Sequence, residues 1–308
     1  YVSHYRLHSH DAVESRLYLV RLCNWRCSVM LGLGGRQIAF GIQRALKAIG
    51  GTITTDGPYT VHTFTSSDTF QITGGSGDLI ITVVGGGGGG GGESSIVGQN
   101  GGGGGGGGAV IYEEIVPSSL VSSTAVTVGA GGSGGPNLTA GGNGGDSSFG
   151  TLLIAGGGSG GDIIGTSGTT LGGAGGAGGT VSGSITPTYG FSGGKGGEGF
   201  SGSEGNLSAT TGRGGSVTNT ATSTTYEGGF GAGEASAGGG GGGGASALAV
   251  GQDNWRWVWN GSMFVRFAGP APTDGSGGFG GWYNSANTGL HRAGQSGADG
   301  YVIVKYLT

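Results

Sequence analysis

A group of alternating tryptophans is the feature of this sequence best suited to binding. The run 254–267 reads NWRWVWNGSMFVRF and contains Trp255, Trp257 and Trp259. Residues two apart share one face of a strand, so the three indoles would form an aromatic ladder. Such a ladder can stack on sugar rings or fill a receptor groove. The structural alternative is that the tryptophans cover a flank lacking large core residues, or pack against a sister chain.

The tryptophan run is predicted to fold back as a hairpin. Asn260-Gly261 is a strong signal for a two-residue type I′ turn. The returning strand 263–267 would bring Phe264 or a neighbour opposite the indoles, with Arg266 at the flank. The candidate receptor-binding set joins this hairpin to a second predicted loop and comprises Trp255, Trp257, Trp259, Phe264, Arg266, Trp282, Tyr283 and His291.

Sequence motifs typical of catalytic sites occur in this chain, but without the surrounding elements or partner residues that catalysis requires. Strings of the GxGxxG and GxSxG type recur, but a chain so rich in Gly contains them by chance, without a strand–turn–helix context. A phosphate loop ending at Lys195 fails because Tyr189 occupies the place of its first Gly. His62 and His291 have no nearby Ser or Cys with an orienting acid. We therefore expect no enzyme activity, no catalytic residue and no cofactor.

The cysteines offer only a weak metal signal. Cys23 and Cys27 lie four residues apart, downstream of three histidines. A zinc site is conceivable from these residue types, and two buried free thiols are the alternative. We expect no metal site.

Glycine dominates the remainder of the sequence. It accounts for 85 of 308 residues, and most of these lie within 85–250. Positions without side chains cannot build an ordinary hydrophobic core. The 6 prolines and the lack of a strict G-X-Y period exclude collagen. No apolar run reaches the roughly 18 residues of a membrane-spanning helix.

Charge separates the first fifty residues from the rest. Residues 1–50 carry seven Lys or Arg against two acidic residues, although the whole chain has a net charge of −4. A basic segment such as 1–50 can contact an acidic partner. The alternative is that its charges lie on a solvent-exposed face of a helix and contact no partner. RNA-binding Gly-rich segments interleave Arg and aromatic residues with Gly. Because 85–250 holds only Lys195 and Arg213 as basic residues, we expect no nucleic-acid partner.

The predicted fold class is all-β, with a short helical N-terminal segment. Helices are predicted over about 12–27 and 36–49, each with an apolar stripe. From residue 51 onward, short β-branched runs bounded by Gly, Ser, Asp and Pro predict strands on both sides of the glycine block. These strands would form a small antiparallel β-sandwich, and the glycine-rich stretches would be excursions from it.

Five regions follow from these changes in composition. They are a basic, partly helical segment (1–50), strands with polyglycine excursions (51–155), a polyglycine II-rich block (156–250), an aromatic-rich insert (251–298) and a closing strand (299–308).

The pattern of the glycine runs favours packed polyglycine II helices over a free linker. Such a helix has three residues per turn and a rise of about 3.1 Å, without internal hydrogen bonds. Neighbouring helices can pair N–H with C=O, and only Gly permits their close approach. Interior helices must then be nearly pure Gly, as in 85–92, 101–108 and 238–244. Outer helices can carry side chains on the exposed third, as in 168–179 and 193–200.

Four motifs, in order, resemble the glycine-rich domain of bacteriophage tail-fibre and tail-tip proteins. They are HTFTSSDTFQITGGSGDLIITVVGGGGGGGG (62–92), TAVTVGAGGSGG (124–135), GNGGDSSFGTLLIAGGG (142–158) and GADGYVIVKY (297–306). The resemblance spans 51–308 and implies a β-sandwich from which polyglycine II loops project. In tail-tip adhesins a comparable lattice carries variable loops that touch the host surface.

The resemblance implies a non-catalytic virion protein of the tail. Its expected partners are a bacterial surface receptor (a glycan or an outer-membrane protein) and other tail proteins contacted through 1–50. A fibre implies sister chains of a homotrimer, whereas a tail-tip cap implies a single copy. The alternative is a secreted or cell-envelope glycine-rich structural protein without a receptor. Ice binding by a flat polyglycine II face is a third interpretation, although the threonines are too scattered to form a regular row.

Overall fold

The computed structural model describes most of the chain from residue 28 onward. The described residues are 28–33, 36–41, 44–92, 101–136, 138–163, 173–199, 213–229, 241–251, 256–259, 264–267, 273–278 and 293–308. Of these, 28–33, 36–41, 256–259 and 264–267 are described by their backbone alone.

Two antiparallel six-stranded sheets form a sandwich, which confirms the predicted all-β fold class. The first sheet has the order β12-β11-β10-β9-β6-β3, with strands Val181–Ser182, Leu153–Ala155, Ser147–Phe149, Ser123–Thr127, Asp68–Gly74 and Lys47–Ile49. The second has the order β13-β8-β7-β18-β5-β4, with strands Gly190–Phe191, Val110–Pro117, Asp78–Val84, Tyr301–Leu307, Tyr59–Phe64 and Thr52–Asp56.

Three two-stranded ribbons lie outside these sheets. They are β1 (Ser28–Leu33) with β2 (Arg36–Gly41), β14 (Val217–Asn219) with β15 (Thr224–Tyr226), and β16 (Arg256–Trp259) with β17 (Phe264–Phe267). A single turn of 3₁₀ helix, Ser118–Leu120, follows β8.

Alternating side chains build the core between the sheets. In β18 every second residue is buried, and Val302 and Val304 lie directly opposite buried residues of β7, Val83 and Ile81. The facing sheet contributes aromatic rings, with Phe70 and Phe149 fully buried at a centroid distance of 5.7 Å. Period-two alternation in the sequence therefore translates directly into one buried face for each sheet.

A glycine corner carries the chain from the edge of one sheet to the edge of the other. Gly50 and Gly51 join β3 to β4 with φ values of +116° and +59°. A Cβ atom on Gly50 would lie 2.1 Å from the Thr69 carbonyl oxygen. Both the conformation and the close approach therefore require glycine here.

A buried hydrogen-bond network joins the two sheets beside this corner. His62 is fully buried, and its Nδ1 lies 2.7 Å from the Gly50 carbonyl oxygen while its Nε2 lies 3.1 Å from the Tyr306 hydroxyl. The carbonyl can only accept, so Nδ1–H donates to it. The Tyr306 hydroxyl also accepts a hydrogen bond from Ala48 N–H at 3.1 Å. The network thus ties β5 and β18 to β3.

Replacing Tyr306 with Phe should lower the free energy of unfolding by about 1–3 kcal/mol, because Ala48 N–H and His62 Nε2 both lose a partner in a buried site. Chemical denaturation measures this change. Tyr189→Phe is the matched control, since its side chain is 41% exposed and the substitution should change stability by less than about 0.5 kcal/mol. Equal losses in the two variants would contradict the role assigned to the network.

The β7–β8 ladder continues without interruption into a glycine ladder with a different period. Val84 pairs with Val110 at the end of the two strands. Beyond them, the N–H groups of Gly85, Gly88 and Gly91 donate to the carbonyls of Ala109, Gly106 and Gly103 at 2.8–2.9 Å. Every third residue now faces the same neighbour, as in a helix with three residues per turn. The octaglycine runs 85–92 and 101–108, the inner pair, therefore form antiparallel polyglycine II helices.

The inner pair lies at the centre of a glycine lattice. Each run forms backbone hydrogen bonds with the other run and with five further extended segments. A closed ring of eight segments surrounds the pair, each hydrogen-bonded to the next: 129–136, 139–145, 156–162, 173–180, 193–199, 241–245, 275–278 and 294–300. Segments 213–215 and 228–229 pack outside 193–199 and 241–245. The predicted interior position of the two octaglycine runs is confirmed.

Close approach, not backbone conformation, is what demands glycine in the inner pair. None of the described residues of these two runs has a positive φ. A Cβ atom on Gly88, Gly89 or Gly106 would lie 2.0–2.1 Å from a carbonyl oxygen of a neighbouring segment. Real Cβ atoms do not approach oxygen this closely, so any side chain would force the segments apart.

Outer segments carry their side chains on the exposed third, as predicted. In 129–136 every third residue is buried, and the exposed positions are Ala130, Ser133 and Pro136. The same spacing places Ser192, Lys195 and Glu198 on the outside of 193–199, where Lys195 Nζ lies 3.1 Å from Glu198 Oε1. We call these rows of exposed side chains the outer ridges.

The N-terminal segment differs from the prediction where it is described. Arg36–Gly41 forms strand β2, paired with β1, and Lys47–Ile49 forms strand β3, paired with β6. A helix over 36–49 is therefore wrong for these residues, because pairing with neighbouring strands and burial of Leu46 in the core outweigh the local helical pattern. The helix predicted over 12–27 lies outside the described residues.

Candidate functional site

The predicted tryptophan hairpin exists, but its strands pair in a different register from the predicted one. Strand β16 pairs with β17 so that Trp259 lies opposite Phe264 and Trp257 opposite Arg266. Phe264 thus takes its predicted place across from the tryptophan strand. A two-residue turn at Asn260-Gly261 would instead pair Trp259 with Ser262. The register leaves four residues between the paired ends, so the predicted type I′ turn is wrong.

The remaining members of the candidate set cannot be placed. Trp255, Trp282, Tyr283 and His291 lie outside the described residues. The described residues bring together Trp257, Trp259, Phe264 and Arg266 along one backbone ribbon.

The two predicted binding segments rejoin the lattice at different levels. Segment 252–272 ends just before Thr273, and Gly275 accepts a hydrogen bond from Gly108, next to β8. Segment 279–292 ends near Gly294, which donates to Gly135 at the opposite end of the lattice. The tryptophan ribbon is thus inserted close to the sheets, whereas the second segment returns far from them.

The described parts of many lattice segments end at one level, opposite the sheets. Hydrogen bonds between neighbouring termini show their common level: Gly91 to Gly103, Gly92 to Thr139, Gly103 to Asp162, Gly173 to Gly101, Gly199 to Gly173, Gly241 to Gly102 and Gly294 to Gly135. The chain segments 93–100, 164–172, 200–212, 230–240 and 279–292 each have at least one end at this level. We call this level the far end of the lattice.

Polar side chains on the outer ridges complete the hydrogen bonding of the lattice edge. Side-chain oxygens accept from outward-facing glycine N–H groups at 2.7–3.2 Å in four places: Asp146 from Gly157, Asn143 from Gly160, Asp299 from Gly131 and Ser296 from Gly134. The two basic side chains of the described lattice, Lys195 and Arg213, are paired with Glu198 and Glu227. These ridge residues belong to the structural frame.

An open cleft lies where the segment after the tryptophan ribbon meets the last lattice segment. Its volume is about 520 Å³, and it is lined by Thr273, Asp274 and residues 295–299. Burial raises the pKa of the Asp274 carboxyl. No motif in the sequence pointed to this cleft. The local signal was the Asp274-Gly275 pair, a common turn dipeptide, but the opposite wall becomes adjacent only in the folded chain.

Tyrosine side chains cluster beside the cleft. Tyr112, Tyr226 and Tyr301 pack on a small second core that includes Val84 and Val110. Burial raises the pKa of the Tyr301 hydroxyl well above its usual range, and the nearby Asp274, Tyr226 and Tyr112 raise it further. The Tyr301 hydroxyl therefore stays protonated at any physiological pH and supplies a neutral polar group.

Neither a metal-binding cluster nor a membrane-spanning helix is present in the described part of the chain. It contains no group of three or more His, Cys, Asp and Glu side chains arranged to hold a metal ion. Across the same residues, no helix combines the length and apolar character needed to cross a bilayer. Cys23 and Cys27, the candidate zinc ligands, lie outside these residues.

Comparison with known proteins gives one result that bears on identity. No curated protein sequence matches the chain. The family model described as "glycine-rich domain" matches residues 60–307, which covers both sheets from β5 onward and the whole glycine lattice. The chain therefore belongs to the glycine-rich domain family.

Proposed function

We propose that this protein is a structural component of a bacteriophage tail fibre or tail tip, and that it displays loops for adhesion to the host surface without catalysing a reaction. The observation that carries the proposal is the far end of the lattice. There the described parts of many lattice segments end at one level, and five further chain segments depart from or return to it.

Rigidity is the physical property that suits the lattice to this role. A displayed loop binds with less entropic cost when its two ends are fixed. The polyglycine segments fix those ends through hydrogen bonds to several neighbours, and the sandwich anchors the opposite ends through its strands. The ordered motifs shared with tail-fibre and tail-tip proteins support the same role.

Immuno-gold electron microscopy on the source sample tests the proposal, using antibody raised against residues 51–308. Gold at the distal end of phage tails is the expected result. Gold elsewhere on the virion would keep a structural role and remove the adhesive one. Gold along cell envelopes would overturn the assignment and favour a secreted or envelope structural protein.

Replacing Trp255, Trp257 and Trp259 together with Ser should weaken binding to host envelopes at least about tenfold, because buried aromatic anchors each contribute about 2 kcal/mol or more at interfaces. Surface plasmon resonance on immobilised envelopes measures the change. Tyr189→Ser is the control, since it removes an exposed aromatic side chain from the sandwich. Unchanged binding in the triple variant would remove the hairpin from the adhesive surface.

A further inference from the structure

The turn that opens the cleft is held in one conformation by partly buried hydrogen bonds. Thr273 N–H donates to Ser276 Oγ at 3.1 Å, and Ser276 N–H donates back to the Thr273 carbonyl at 2.9 Å. The Ser246 hydroxyl donates to the Asp274 carbonyl at 2.6 Å. These contacts hold Asp274 at a φ of 46°, a conformation that non-glycine residues adopt rarely.

The Asp274 side chain has no structural use within the described residues. Its backbone is fixed from both sides, yet its carboxylate forms no hydrogen bond or ion pair with any described group. The side chain is partly buried, and burial without a partner disfavours the ionised form. A fixed, partly desolvated acceptor without a protein partner is typical of a group that binds a ligand.

The opposite wall supplies further polar groups. Gln295 and Ser296 are exposed, and the Ser296 hydroxyl can still donate although its oxygen accepts from Gly134 N–H at 3.2 Å. Asp299 keeps one carboxylate oxygen free while the other accepts from Gly131 N–H at 2.7 Å. Thr273 adds a hydroxyl on the near side. The lining therefore combines carboxylate acceptors with hydroxyl and amide groups that both donate and accept.

The lining excludes most classes of ligand. Its described residues include two carboxylates and no basic side chain, an arrangement that repels anions. Among the described residues no third acidic or imidazole ligand is available for a metal ion. Among the lining residues that the structure describes, Ala298 alone has an apolar side chain, so this lining does not suit a hydrophobic ligand. Neutral polyhydroxyl compounds remain, because their hydroxyl groups can donate to carboxylates and accept from amides.

We propose that the cleft bounded by Thr273, Asp274 and residues 295–299 is a binding site for a neutral saccharide of one or two sugar units, with Asp274 as the main acceptor for its hydroxyl groups. The cleft volume of about 520 Å³ falls within the roughly 300–1,000 Å³ of small-molecule sites. This proposal gives the proposed adhesive function a receptor chemistry. The biological role of the site rests on that function, whereas the binding of a saccharide does not.

Saturation-transfer NMR with the whole chain tests the site, using maltose, cellobiose, lactose and N,N′-diacetylchitobiose as probes. Signal transfer to at least one disaccharide is expected. Asp274→Asn should weaken that binding at least about tenfold, the effect of losing about 1.4 kcal/mol of a charge-assisted hydrogen bond. Asn tolerates a positive φ, so the thermal unfolding midpoint should not change.

Two variants separate binding from folding. Gln295→Ala should also weaken the binding, because it removes an amide from the opposite wall. Asp78→Asn makes the same chemical change as Asp274→Asn at an exposed residue of β7 and should bind as the unmodified chain does. No transfer to any probe, or equal transfer in the Asp274→Asn variant, would overturn the proposal. Distal gold labelling would be unaffected by that outcome, so the proposed function is tested separately.

Discussion

Replacing Gly106 with Ala is expected to prevent the glycine lattice from forming. The added Cβ would lie 2.0 Å from the Ala177 carbonyl oxygen and 2.5 Å from its carbon. Neither atom belongs to a flexible side chain, and segment 101–108 is enclosed by neighbours that are themselves hydrogen-bonded. Relief of the clash must separate two segments and break several hydrogen bonds, so the cost should exceed about 4–5 kcal/mol, beyond most single substitutions.

Unfolding midpoint, soluble yield and amide hydrogen exchange together measure this effect. Gly74→Ala is the matched control, because the same methyl group would meet no atom within 4 Å and Gly74 has no positive φ. The control should retain the midpoint and the slow exchange of the inner pair. If Gly106→Ala also retained them, the close packing of the lattice would be refuted.

The second large effect is expected for Phe70→Ala in the sandwich core. The Phe70 ring is fully buried and packs edge-on against His62 at a centroid distance of 5.2 Å, so it connects the two sheets. Truncating such a ring removes its burial and leaves a cavity, at a cost of about 3–5 kcal/mol. Chemical denaturation measures the loss of stability.

Ile115→Ala provides the comparison for this core substitution. Ile115 lies on the outer side of β8 with 62% of its surface exposed, and its truncation should change the free energy of unfolding by less than about 0.5 kcal/mol. A similar loss in both variants would mean that the interior of the sandwich contributes less than its burial indicates.

The parts of the fold that the sequence predicts are those determined by a repeating local pattern. Alternation predicts the strands around Phe64, Ile81 and Val304 because a sheet with one buried face needs period two. Uninterrupted glycine predicts the inner pair because no other residue permits the spacing. Spacing by threes, as at Ser133, predicts which lattice segments lie outside. Each of these patterns has one physical cause.

Where the pattern is ambiguous, the tertiary structure decides. Ile38 and Phe40 have the two-residue spacing of a strand face, and Ile38 and Ile42 have the four-residue spacing of a helix face. Pairing with β1 selects the strand. Asn260-Gly261 indicates a two-residue turn that would pair Trp259 with Ser262, but in the structure Trp259 pairs with Phe264. In both cases the information lies in the partner strand.

The cleft is the feature least predictable from the sequence, because its two walls come from segments distant in the chain. Asp274-Gly275 marks a turn in the sequence, but nothing local marks Gln295 as its neighbour. The two walls meet because both belong to segments that pack on the inner pair. Lattice packing, not a motif, creates the cleft.

The outer ridges have a consequence for the solubility of the protein. A lattice of pure glycine could add further chains on every side, because each outer helix would offer unpaired N–H and C=O groups at the correct spacing, as an exposed edge strand does. Side chains such as Ser133, Ser192 and Lys195 occupy the space that an additional helix would need. They therefore block the addition of further polyglycine helices to the lattice, much as adsorbed impurities block the growth of a crystal face. The lattice is thereby limited to a defined size.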